Sequence, residues 1–305
     1  GTTIKERQIN EEGKIVWVPF SKLGARRAVL NDLSPAATFI AYNYNTPVDV
    51  HAFEHEARRI LEEVEEECGW MYETKHTDGR TGKINYTVWS DIFVCPECSG
   101  EVIFWEAAVD KEAGKVRDRF PCTHCHAELS KRNMKRSWTI KYDSALKDSV
   151  KQAKQIPVLI NYSVAGNKGR FEKKPDKIDI ALIEKIENSE IPYWFPTNPL
   201  LDGYNTRQPI KSHGITHIHH FYTKRNLWVL ASVLERLNNT KPRYKAWFTS
   251  TMSWVGKELR LHLGNYFGGG GGVLTSLRGT LYVASLPAET NVLERLCLRI
   301  RWQQF

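Results

Sequence analysis

With 305 residues, 41% of them hydrophobic and 26% charged, the chain can bury a sizeable core, which excludes intrinsic disorder and predicts two or three domains. Forty-three Lys and Arg against 35 Asp and Glu leave a net charge of +8, a balance that favours a polyanionic partner. No apolar run approaches the roughly 20 residues that span a bilayer, so no membrane partner is expected. Six cysteines in a chain of this length are not a disulfide scaffold, and with no signal-peptide pattern they point to a reducing, cytoplasmic setting.

Residues 1–24 are mixed and polar, with one apolar stretch, Ile15-Val16-Trp17-Val18, before Pro19. Ala28 to Leu30 reads as a short buried strand bounded by charge. Ser34 followed by Pro35 is an N-cap and first-turn proline, so a helix should begin there. Asp32 then stands between a strand and a helix, where nucleotide-type folds hold ribose hydroxyls through a carboxylate. An ordinary turn aspartate fits the local pattern equally well. From about His51 to Glu67, Phe53, Ala57, Ile60, Leu61, Val64 and Cys68 recur at three- and four-residue steps, predicting an amphipathic helix stopped by Gly69. Its glutamates, Glu62, Glu63, Glu65, Glu66 and Glu67, read as a solvated face. Thr77 to Gly82 is a turn, and residues 85–94 lead in extended form into the first of two cysteine pairs.

Those pairs, Cys95-Pro96-Glu97-Cys98 and Cys122-Thr123-His124-Cys125, are the most informative feature of the chain. Two C-x-x-C turns separated by 23 residues can each aim two sulfurs at one ion, and their usual separation in zinc sites is roughly 15–20 residues. A four-thiolate zinc site of this kind is structural, with no open position for chemistry. Glu101 to Val109 and Val116 to Phe120 read as inner strands of a zinc ribbon, joined by a turn at Asp110 to Gly114. Cys68 and Cys297 remain, and read as buried structural thiols.

After the second pair the charge changes sign. Residues 131–154 carry Lys131, Arg132, Lys135, Arg136, Lys141, Lys147, Lys151 and Lys154 against Asp143 and Asp148, with Trp138 and Tyr142 interleaved. Cations contact phosphates and aromatic planes stack on exposed bases; a solvated basic face is the competing reading. Beyond it lie a strand at Ile156 to Val164, a helix at Ile178 to Glu187 and an irregular loop from Ile191 to Ile210. His217 and His219 alternate onto one face of a strand read through Gly214 to Phe221. No Asp, Glu or Cys at ligand spacing accompanies them, so metal binding is the weaker reading there. A helix from Lys224 to Leu237, a flexible loop at Gly268 to Gly272 and a strand at Leu281 to Ala284 complete the chain.

Several of these stretches occur together in one family. Asn31-Asp32-Leu33-Ser34-Pro35-Ala36-Ala37-Thr38-Phe39-Ile40-Ala41, Trp89-Ser90-Asp91, both cysteine pairs, Pro157 to Ser163 and His217 to Leu227 resemble the prokaryotic adenine-specific DNA methyltransferases that contain a zinc ribbon, over roughly residues 25 to 285. The resemblance implies an α/β fold, a partial Rossmann-like methyltransferase core with an inserted β-rich zinc-ribbon recognition module. It implies S-adenosylmethionine as cofactor, with Asp32 and Leu33 at its ribose, structural Zn2+ on Cys95, Cys98, Cys122 and Cys125, and double-stranded DNA contacted through Lys131, Arg132, Lys135, Arg136 and Trp138. On this reading residues 1–84 are part of the cofactor-binding core, 85–140 the ribbon, 141–212 a basic and irregular recognition region, and 213–305 a segment returning to the core.

Two departures bear on activity. No Gly-rich cofactor loop precedes Asp32, and no Pro-Pro occurs anywhere, whereas amino-methyltransferases use an (Asp/Asn/Ser)-Pro-Pro-aromatic tetrad to hold a flipped base; Asn198-Pro199-Leu200 is the nearest approach. The expectation is an internal fragment of a restriction-modification type enzyme, acting on adenine N6 or cytosine N4 when whole and inactive alone, with no catalytic residue assigned. The alternative is a stand-alone zinc-ribbon DNA-binding module without catalysis.

Overall fold

Two apolar-polar segments open the chain as a hairpin, Thr3–Ile9 against Ile15–Lys22, antiparallel and closed by a turn in which Gly13 takes φ +75°. The computed structural model describes residues 3–22, 24, 29–238 and 240–302, and the chain divides into two units, Gly1–Pro47 and Val48–Phe305. In the first unit the hairpin is followed by the helix Pro35–Asn45. Ser34 caps it as expected, its Oγ accepting from the Ala37 N–H at 3.4 Å, and Asp32 Oδ1 accepts from the Ser34 N–H at 2.7 Å. The expected strand at Ala28 to Leu30 is corrected. Ala28 lies outside the described residues, while Val29 and Leu30 pair with no described strand and are 96% and 48% exposed. A three-residue apolar run without a neighbour to complete its ladder has no reason to extend.

The second unit is built on one long strand, Thr81–Val94. From Gly82 onward its residues are buried or half-buried on both faces, with the polar Asn85, Thr87, Ser90 and Asp91 among the buried ones. Gln155–Val164 runs antiparallel along one side, and the short strands Glu73–Lys75 and Ala288–Thr290 share the other. Between Asp91 and Ile92 the partners change: the last three residues pair with Glu101–Ile103, and Phe93 and Val94 also with Lys135–Arg136. The result is a seven-stranded sheet in a mixed α/β unit. Every strand pairing among the described residues is antiparallel, unlike the parallel sheet of a doubly wound core.

Two apolar clusters meet this sheet. In the first, Ile84, Ile160 and Tyr162 pack with the helices Val50–Cys68, Lys224–Arg236, Pro242–Thr249 and Val292–Trp302. The first of these helices buries the six residues its period predicted, Phe53, Ala57, Ile60, Leu61, Val64 and Cys68. In the second cluster Tyr86, Val88, Phe93 and Val158 pack with Phe104, Trp105, Phe120, Leu129 and two of the paired cysteines. A buried brace holds the short strand Ala288–Thr290 in place. Arg225 grips Glu289 through two 3.0 Å hydrogen bonds and donates to the Met71 carbonyl at 2.9 Å, while the Trp89 indole N–H reaches Glu289 at 3.0 Å. Asn226 accepts from the Tyr72 hydroxyl at 2.9 Å and donates to the Val255 and Thr290 carbonyls at 3.0 Å each.

Other expectations need correcting. The strand read over Glu101 to Val109 is broken by a helical turn, Phe104–Ala108, because a run buried on every side suits either conformation. The loop read from Ile191 to Ile210 contains the start of a helix, Tyr204–His213. Leu281 to Ala284 is not a strand: the Gln208 amide substitutes for one, donating to the Val283 carbonyl and accepting from its N–H, both at 3.0 Å. Ile218–Phe221 forms a tight 3-10 turn rather than an extended segment.

Candidate metal centre and nucleic-acid surface

The long strand delivers Cys95 directly from the sheet, and the two cysteine turns are near copies of each other. In the first, the Ser99 N–H returns to the Cys95 carbonyl at 3.0 Å and the Cys95 N–H to Gly100 at 3.0 Å. In the second, His126 returns to Cys122 at 3.2 Å and Cys122 bonds Ala127 at 2.8 Å. Ser99 and His126, at matching positions, take φ of 59° and 61°. That left-handed turn carries the chain back past its own sulfurs. Gly100 is required beside it, since a Cβ there would stand 2.8 Å from the His124 ring.

The four sulfurs lie within 4.8 Å of one another, with Cys95 to Cys125 and Cys98 to Cys122 both at 3.8 Å. Zinc–thiolate bonds of about 2.3 Å in a tetrahedron give sulfur–sulfur edges of about 3.8 Å. The donor set therefore fits a metal such as zinc, and the sequence expectation for these four residues coincides with the geometry. Backbone N–H groups of Cys125 and His124 hold the Cys122 thiol down to about 6. Against the N–H groups of Gly100 and Ala127, desolvation and the facing sulfurs push Cys98 up to about 12 and raise Cys125, so without an ion the negative charge of these three sulfurs rests on Cys122.

The basic segment divides into exposed and internal cations. Lys131 is exposed only in part, its ammonium 5.2 Å from the Phe104 ring centre, where burial pushes it below the usual lysine range. Arg132 and Lys135 are exposed. Arg136 is not: its Nε donates to the fully buried Asp91 at 2.8 Å and its Nη2 to Ser285 at 3.3 Å. Gln155 Nε2 donates to the same carboxylate at 2.8 Å, and His213 Nε2 lies 3.3 Å away. Burial pushes the Asp91 carboxyl up, but His213, Arg136 and Gln155 outweigh it and hold it well below the usual range. Arg136 is thus removed from the expected DNA contacts, because a charge visible in sequence is spent on an internal partner.

Trp138 begins a hairpin, Trp138–Asp143 against Asp148–Ala153. Strand alternation puts Trp138, Ile140 and Tyr142 on one face with Lys151 opposite Ile140. Ile140 and Tyr142 are 73% and 70% exposed, and the Lys151 ammonium sits 5.3 Å from the Trp138 ring centre. The opposite face, with Thr139, Lys141 and Asp143, lines a groove of about 490 Å³ shared with the helix Lys177–Asn188 and the 3-10 turn.

Sequence reading missed what lies in that groove. Asp143 Oδ2 is 2.8 Å from His219 Nε2 and 2.9 Å from His220 Nε2. Burial raises the Asp143 carboxyl, yet the two imidazoles and the Leu146 N–H hold it down to about 2. Burial takes His220 down to about 4 against the pull of Asp143, so it is neutral at pH 7. The missing ligand-type residue was 76 positions away in sequence, where no local spacing could show it.

Asp32 and Leu33, the residues assigned to a cofactor, lie on an exposed connection before the first helix, with Leu33 fully exposed and the Asp32 carboxylate occupied in the Ser34 turn. No helix of the described residues is long and apolar enough to cross a membrane. Comparison with protein-family models, with curated proteins and with solved structures finds no match to this chain.

Proposed function

We propose that this chain is a zinc-stabilised module that binds double-stranded DNA, and that it serves as the recognition region of an adenine-specific DNA methyltransferase. The observation that carries the first part is the hairpin beside the cysteine site. It presents Trp138, Ile140, Tyr142 and Lys151 to solvent on one face, an apolar and cationic surface without a covering element among the described residues. Cys95, Cys98, Cys122 and Cys125 would hold Zn2+, which supplies the closing bonds of the fold and no reaction step. Lys131, Arg132, Lys135 and Lys151 set phosphate contacts, and the aromatic face packs against the duplex.

The test is DNA affinity as a function of salt. Log affinity should fall with log salt at a slope of about −0.9 per neutralised phosphate, and Lys135→Glu with Lys151→Glu should flatten it by about two such steps. An unchanged slope removes this face from the interface. Arg136 is left intact, since its reversal breaks the internal pair with Asp91.

The methyltransferase part rests on the resemblance, with S-adenosylmethionine as the cofactor and Asp32 and Leu33 at its ribose. The intact enzyme would flip the target base and transfer the methyl to its exocyclic nitrogen, adenine N6 or cytosine N4. Lacking a Pro-Pro tetrad, this chain alone is expected to show no turnover in a tritiated-methyl assay, and turnover above background defeats that reading. The antiparallel sheet favours the second reading, a DNA-binding module without catalysis. Calorimetric binding of S-adenosylmethionine that is weakened by Asp32→Ala would decide for the methyltransferase lineage.

A further inference from the structure

We infer that Asp143, His219 and His220 form a second metal site, independent of the four cysteines, that holds a divalent first-row ion, Zn2+ or Fe2+, with coordination positions open to the groove. Three ligand-type atoms from two separate segments converge: one carboxylate oxygen and two imidazole nitrogens, all within 4.8 Å of one another. The 2.8 and 2.9 Å separations from Asp143 Oδ2 are close to the roughly 3 Å between adjacent ligands when metal–ligand bonds are about 2.0–2.1 Å. Two imidazoles and one carboxylate are the donor set of three-ligand zinc sites and of non-haem ferrous sites, both of which keep positions free.

The ligands are held from behind. Asp143 Oδ1 accepts from the Ala145 and Leu146 N–H groups at 3.0 and 3.2 Å, which leaves Oδ2 to face the histidines. His220 Nδ1 lies 3.4 Å from the Thr216 hydroxyl, which can accept its N–H when Nε2 turns to a metal, and Lys257 donates to the His220 carbonyl at 2.9 Å, fixing the turn that carries both rings. Such backing orients metal-binding imidazoles.

His219 is 6% exposed and turns its Nε2, not its Nδ1, which is unpartnered among the described residues, toward Asp143. The open side faces the groove, where Lys141, Lys154, Lys224 and Lys257 outnumber Asp143 and Glu187. An anionic oxygen ligand, such as inorganic phosphate, suits the remaining positions.

The experiment is metal stoichiometry on the full chain, stripped by chelation and reloaded with Zn2+, or anaerobically with Fe2+ after the cysteine site is filled with Zn2+. Two equivalents are expected, against one in Asp143→Asn and in His220→Gln, with the cobalt–thiolate absorption of the cysteine site unchanged in both. His217→Ala, adjacent but outside the three ligands, should keep two. One equivalent in the wild type, or two in both ligand variants, overturns the site. Imidazole nitrogen resonances of the wild-type chain give a reading that needs no variant. The second equivalent should move the Nε2 signals of His219 and His220, and unmoved signals count against it. DNA binding plays no part in either measurement, so this site and the proposed function stand or fall separately.

Discussion

Removing the metal from the cysteine site should unfold one part of the second unit and spare another. Two of the pairings around the cysteines are between strands only two residues long: Val109–Asp110 with Lys115–Val116, and Phe120–Pro121 with Glu128–Leu129. Hairpins of that length are not stable in water on their own. A structural zinc contributes on the order of 10 kcal/mol, comparable to the roughly 5–15 kcal/mol that stabilises a whole domain. The cluster of Phe93, Phe104, Phe120 and Leu129 closes over Cys95 and Cys122, so it loses its anchor with the ion. The helices packed on Ile84, Ile160 and Tyr162 form a separate cluster that contains none of the four cysteines. Hydrogen exchange after chelation should therefore show lost protection at the Cys95, Ser99, Cys122 and His126 amides, each of which bonds within its own turn. Amides of the helices Val50–Cys68 and Lys224–Arg236 should keep most of theirs. Retained protection at the four turn amides, once elemental analysis shows the metal gone, would falsify the structural role.

Glu289→Gln removes one charge from a pair whose side chains are 4% and 2% exposed, leaving the Arg225 guanidinium buried without its counter-ion. A cost of about 3–5 kcal/mol is expected, read as a lowered denaturant midpoint with unchanged slope; a loss under about 1 kcal/mol would mean the pair is solvated. Thiol labelling should follow burial and metal. Burial pushes the Cys68 thiol up to about 12, so it should react only on unfolding, while half-buried Cys297 labels first in the zinc-loaded chain. Chelation should then add the four cysteines of the site, and rapid labelling of Cys68 in the folded chain contradicts the packing.

The features legible in sequence are those whose cause is local. The helix Val50–Cys68 shows its period within its own residues, and each cysteine turn carries both sulfurs on one tight bend. Ser34 and Pro35 announce a helix start for the same reason. What sequence hid depends on pairing at a distance. Arg136 looks like its basic neighbours until Asp91, 45 positions earlier, is seen to accept from it. His217, His219 and His220 look like a histidine run without a carboxylate until the hairpin brings Asp143 beside two of them. Thr223, Arg225 and Asn226, part of the stretch on which the family resemblance rests, turn out to brace the sheet. Arg225 finds Glu289 at a separation of 64 residues, and Asn226 ties two carbonyls that no pattern identifies.

The same long-range pairing explains how the cysteine module is held to the helical core. Asp91 is the last residue of the long strand to pair with Gln155–Val164, and Ile92 the first to pair with the strand at Glu101–Ile103. At that joint one buried carboxylate collects Arg136, just ahead of the exposed hairpin, Gln155, at the start of the neighbouring strand, and His213, at the end of a helix. Three elements thus share one charged anchor, in surroundings where an unpaired charge is too costly to leave. The strand continues without a break from this anchor into Cys95. The cysteine site and the hairpin face are consequently fixed to the same backbone, a rigidity that the DNA contact proposed above would require to keep its register.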